Sequence, residues 1–425
     1  MHRLCFAGHV VLNTALTHTS VLKYENELIN EELSMNILDH VSGNYELHQK
    51  KLSPVARTFV KLALKGVPAG EITDYHVRFI GTGGTGSGCS LHSRFKSWLS
   101  PVHRIQFLRL RKHAQVRNVK YFDQQYFDRL FDLSIRFPSP CKLFLHATDW
   151  NYDKQGKRQE NSTSVFVPNE HIIQMSGLYK TLFTPVGSVH PFRPDALDEI
   201  DKCAGLGVKM IKWSPEAMNI NPDDAKCISF YDRMQKHNMT LVVQPSDYRF
   251  RHWLGFANPS NPQLLRTALD AGLRVIVSHC GGSGLSRDVH NKSAIRTNFE
   301  MLMEMMEHEA YQNTLFTDLS GMLHPGRTAN DLKRIIASRD LHPRLVHGSD
   351  FPNPMANIHL TLTLLWRRGY LNREQLVPLC EIYQFNPLLF DIVTKLTVRN
   401  PDKFMRLPKS VVMKNKVLES VTPAP

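Results

Sequence analysis

The sequence predicts a (β/α)8 TIM barrel with an N-terminal helical extension. Three observations predict it. Eight short apolar or β-branched runs recur along the chain, most of them separated by longer stretches of helical spacing. Strands that alternate with helices must pair in parallel through crossovers, and eight such units suggest a closed barrel. His, Lys and Asp residues gather where several of the runs stop, and barrel enzymes build their sites at the carboxyl ends of strands.

The elements follow in order. Residues 1–70 read as a helical extension. Its better helix is Pro54 to Leu64, with Val55, Phe59, Leu62 and Leu64 as the expected apolar stripe and Gly66 as the stop. The barrel is expected over 71–400. Its eight runs are Ile72–Ile80, Lys142–Ala147, Thr184–His190, Val208–Trp213, Thr240–Pro245, Arg274–His279, Leu315–Leu319 and Leu345–Gly348. Between them, helices are expected at Tyr121–Arg136, Asp195–Leu206, Asp223–His237, Gln263–Ala271, Ser293–Glu309 and Thr328–Ser338. Three more follow the last run. The glycine-rich Gly81–Gly88 reads as a mobile loop at the barrel mouth, because no Gly-Lys-Ser/Thr follows to make a phosphate loop. Residues 401–425 read as a partly disordered tail.

The bulk numbers narrow the function. The chain has 425 residues, 42% of them hydrophobic, and a formal charge of +13, which suits a basic protein that attracts anionic ligands. Seven scattered cysteines with no Cys-x-x-Cys pair argue against a disulfide framework or a thiolate zinc site. A cytoplasmic setting is expected, with a weak signal-peptide reading of residues 1–17 as the alternative. No run reaches the ~20 apolar residues of a membrane span. The expected partner is a small-molecule substrate, with no nucleic acid and no membrane. Basic clusters such as Arg104 to Lys120 match no nucleic-acid module. Self-association is left open.

At the strand ends, His76 and Arg78 share a face of strand one. Lys212 stands on strand four, with even claims to ion pairing and to holding an anionic substrate. His279, before Gly281-Gly282, is the best acid–base candidate, and Asp350, after Gly348-Ser349, is the second catalytic candidate. His190 and His347 read as structural, and Asp318 as a brace for a neighbour.

Asp74-Tyr-His76, Gly83–Cys89, Ser188–Arg193, Gly207–Trp213, Val277–Gly281, Gly348–Pro352 and Asn386–Asp391, in that order and spacing, resemble the amidohydrolase-related branch of the metal-dependent amidohydrolase superfamily. The resemblance covers roughly residues 70–400. It implies a hydrolase-type protein with one divalent metal, zinc or manganese. The metal would be held by a strand-one His-x-His, a strand-five histidine and a strand-eight aspartate, with a strand-six histidine as acid or base. His76 and Asp350 match metal ligands, and His279 matches the acid–base histidine. Arg78 and Gln244 stand where the other two ligands would be and pass to the substrate-binding set with Lys212. Arginine has no lone pair for a cation, and a glutamine carbonyl is a poor substitute for imidazole. The metal is therefore expected to be weakened or absent. Arg78 is expected to pair with Asp350 in its place. The alternatives are an inactive ligand-binding barrel and a metal-independent lyase.

Overall fold

The computed structural model describes residues 51–245, 258–325, 327, 329–352 and 358–419. Eight parallel strands stand where the runs predict them: β1 Thr73–Arg78, β2 Lys142–His146, β3 Phe183–Val186, β4 Met210–Trp213, β5 Thr240–Val243, β6 Arg274–Val277, β7 Leu315–Asp318 and β8 Leu345–Val346. Regular ladders join β1 to β3 and β4 to β8. Two looser seams close the ring. At one, Gly187 N donates to Met210 O (2.9 Å) and Lys212 N to Gly187 O (2.7 Å). At the other, Tyr75 N donates to His347 O (2.9 Å) and Arg78 N to Phe351 O (3.0 Å).

One side chain from every strand enters a common interior layer: Tyr75, Phe144, Val186, Met210, Val242, Ile276, Phe316 and Val346. This is the packed core of a small barrel rather than a pore. Leu418, on the short helix Lys416–Glu419, completes the layer from below. The Tyr75 hydroxyl donates to Glu419 Oε1 (2.7 Å) and accepts from Asn415 N (2.8 Å). The tail is thus folded as far as Glu419, where a partly disordered segment was expected. Its Val411, Val412 and Leu418 are buried, and their apolar area outweighs the Pro and Lys between them.

The helices match the expected positions with trimmed ends. Pro54–Leu64 forms, but it buries Ala56, Val60 and Leu64 while Val55 and Leu62 stay exposed. The spacing of four, not the larger side chains, sets its inner face. Residues 25–48 lie outside the described residues. The long first crossover contains a second helix, Pro101–His113, which buries only Phe107.

Candidate active site

Alternation along the strands builds the site. Two residues beyond Phe144, Val186, Met210, Val242, Ile276 and Phe316 come His146, Ser188, Lys212, Gln244, Ser278 and Asp318. A period of two puts these polar groups on the same inner face, one layer nearer the mouth. On β1 a register shift between Asp74 and Val77 lets both Tyr75 and the mouth residues face inward.

His76 is fully buried. Its Nδ1 lies 3.0 Å from Asp318 Oδ2, and its Nε2 lies 3.4 Å from Asp350 Oδ1 without a hydrogen bond. Gly348 permits this approach, since a Cβ there would sit 2.7 Å from His76 Cβ and 3.0 Å from Asp318 Cγ. Asp318 also accepts from His279 N (3.0 Å), Ser320 N (2.9 Å) and the Ser320 hydroxyl. Burial opposes ionisation of Asp318. The His76 charge and hydrogen bond, then His279 and Ser320, outweigh it and hold the carboxyl well below its usual range.

His279 is buried on left-handed backbone (φ 57°), and the half-buried Asp350 has the same backbone conformation (φ 55°). Such conformations cost roughly 1–3 kcal/mol each for a non-glycine residue and cluster at functional sites. Ser320 Oγ lies 2.8 Å from His279 Nδ1 and fixes the ring. Arg78 Nε lies 2.7 Å from Asp350 Oδ1, and Arg78 Nη2 lies 3.5 Å from Oδ2. Gln244 Nε2 lies 3.4 Å from both His279 Nε2 and Asp350 Oδ1. Lys212 is buried, with Thr148 Oγ1 at 3.5 Å. Burial first, then the Arg78 charge, pushes its amine down to about 7.

All the sequence-predicted site residues therefore meet at one mouth. His76, His279 and Asp350 bring one ligand atom each within 4.8 Å of one another, and two imidazoles with a carboxylate suit a divalent transition ion. The structure also sets Arg78 against that carboxylate. The histidines read as structural stay out of this cluster. His190 is bonded to Met218 O and Phe192 N at its two ring nitrogens, and His347 lies between Lys395 and Asp74.

Two site residues escaped the sequence reading. His146 stacks on His76 with centroids 5.0 Å apart. Burial, then His76 and Lys212, keeps it well below the usual histidine range, hence neutral. Period-two counting from Phe144 would have found it. Ser320, two residues after Asp318, carried no signal of its own.

The glycine loop differs from its expectation. It is pinned, not free: Asp123 accepts from Thr82 N (2.5 Å), Gly83 N (3.0 Å) and the Ser87 hydroxyl. Gly83 has φ +77°, and a Cβ there would meet Cys89 O at 2.4 Å. Its glycine serves close packing.

Among solved structures, the fold is similar to 5-carboxyvanillate decarboxylase from Sphingomonas paucimobilis (12% identity, 75% of this chain and 99% of that one, TM-score 0.44). It is similar to the IDCase of Metarhizium anisopliae (12%, 78% and 98%, 0.43). It is also similar to a dihydroxybenzoic acid decarboxylase from Polaromonas sp., solved with manganese and 2-nitroresorcinol (12%, 76% and 98%, 0.41). No curated protein matches the sequence. The family model described as Amidohydrolase matches residues 156–376, more than half of the chain. The chain belongs to the amidohydrolase family.

Proposed function

We propose that this amidohydrolase-type barrel binds a small anionic molecule at its mouth and that Arg78 stands in for the family's metal. The observation that carries this reading is the 2.7 Å contact between Arg78 Nε and Asp350 Oδ1. The remaining donors do not fit a resident zinc or manganese. The carboxylate is already neutralised by a guanidinium, and the Gln244 amide stands between His279 and Asp350. A dication there would meet a fixed positive charge at contact range.

A guanidinium offers N–H donors and charge to a carboxylate or a developing oxyanion. Lys212 adds a second positive charge when protonated. Its amine titrates near neutrality, so affinity for an anion is stronger below about pH 7 and weaker above it. His279, oriented by Ser320 and Asp318, is the group placed to give or take a proton. The chemistry this supports is metal-independent proton transfer on a bound carboxylate, as in a lyase. The convergence of His76, His279 and Asp350 favours the second reading, a metal-dependent hydrolase.

Metal analysis separates the two. Purified protein loaded with zinc or manganese and then desalted is expected to retain far less than one equivalent. One tightly held equivalent overturns the proposal. The paired change Arg78→His with Gln244→His is expected to create a site that holds about one. If the pair gains none, the rest of the site has lost its fit for metal as well.

A further inference from the structure

The first crossover carries a feature that the mouth does not use. Between Asp74 and Asp123 the chain has nine Lys and Arg and no Asp or Glu, set against a net charge of +13 for the whole. Within this stretch, the turn before helix Pro101–His113 exposes Trp98 (80%) and Leu99 (94%). The helix continues the surface with Val102, Ile105 and Leu108, all exposed and three residues apart, which places them on one side. Lys96 and Arg109 are exposed beside them. The Arg104 guanidinium lies 3.5 Å from the centroid of the Trp98 ring. Single exposed apolar residues are ordinary, whereas five together mark an interaction surface.

We propose that residues 96–112 form a docking surface for an anionic lipid bilayer. Charge complementarity selects the occupant. Trp, Leu and Ile side chains settle at the headgroup–acyl boundary while Lys and Arg meet lipid phosphates, which is how basic amphipathic helices lie on membranes. A second copy of this chain would bring the same acid-free stretch against itself. A nucleic acid matches the charge but offers no apolar layer to Leu99, Val102 and Ile105. No helix among the described residues is long and apolar enough to cross a membrane, so the contact is peripheral. The surface is tied to the barrel rather than hung from it. Phe107 stacks on Phe122 (centroids 5.9 Å) and Phe122 on Tyr126 (6.1 Å), and the Tyr126 hydroxyl donates to Arg78 O (2.5 Å). Docking would therefore hold the bilayer against the crossover that leads from β1.

Flotation of the full-length protein tests this. Vesicles of equal parts phosphatidylcholine and phosphatidylglycerol are expected to carry the protein at low salt, and vesicles of phosphatidylcholine alone are not. Trp98→Ser with Leu99→Ser, and separately Lys96→Glu with Arg109→Glu, are each expected to lower binding at least about tenfold. All four side chains are exposed, so circular dichroism and melting should not change. Three results overturn the proposal. One is no flotation, and another is flotation indifferent to both variants. The third is self-association of the wild type that Trp98→Ser with Leu99→Ser abolishes while no vesicle binding is seen, which assigns the surface to a second copy.

Discussion

The floor and the mouth of the barrel are built from the same eight strands, two residues apart, yet they answer to different demands. The floor is a closed apolar layer, one side chain per strand with Leu418 beneath. The mouth holds His146, Lys212, Gln244, His279, Asp318 and Asp350, most of them buried, two on left-handed backbone, and His146 with a ring nitrogen that has no hydrogen bond. The difference shows where a barrel gains its stability and where it spends some of it. Burial of carbon below supports strain and desolvated charge above. Substitutions at the two ends should therefore differ in sign as well as size.

The largest effect is expected at the floor. Phe316→Ala removes a ring from the interior layer and should cost about 3–5 kcal/mol, read as a lower denaturation midpoint. A change below ~1 kcal/mol would mean that the layer is not the core it looks to be. Gly83→Ala comes next. It forces a side chain into left-handed backbone and against Cys89 O, and should cost about 2 kcal/mol. Tolerance of alanine there would mean that the loop is free after all.

The smallest effect should be of opposite sign. Lys212→Met replaces a buried amine and is expected to stabilise the fold by about 1 kcal/mol at pH 6. The pH dependence follows from the depressed value of about 7. The unfolded chain holds its proton up to the ordinary lysine range, so the penalty is complete below about pH 7. It fades as pH rises from there towards ~10.5. Melts of wild type and variant should converge over that interval, while the variant binds small carboxylates more weakly at pH 6. Parallel curves would place the amine in water.

Much of this contrast was legible in the sequence. The eight runs carried the strand order, His76, Arg78, His279 and Asp350 announced themselves by standing where runs end, and Gln244 was marked only by the family resemblance. Less legible was whatever depends on contacts between distant segments. Ser320 matters only because the loop after β7 turns back onto His279. The glycine loop looked free because its anchor, Asp123, lies about 40 residues on, on helix Phe122–Ile135. Helix Pro101–His113 lacked a signal because its Arg, Lys and His residues blur its apolar pattern. The tail looked partly disordered because its composition says nothing of the layer that Leu418 packs against.

That tail has a consequence for the chain as a product of synthesis. The bonds from Tyr75 to Asn415 and Glu419 join residues about 340 positions apart, so the first strand is sealed by a segment made after all the other strands. A copy ending between Val346 and Asn415 would keep all eight strands, yet Phe144, Met210 and Ile276 would meet water through an open base. Such a product would be bound by chaperones or cut by proteases long before its mouth met a ligand. The barrel, in effect, stays open below until that segment arrives.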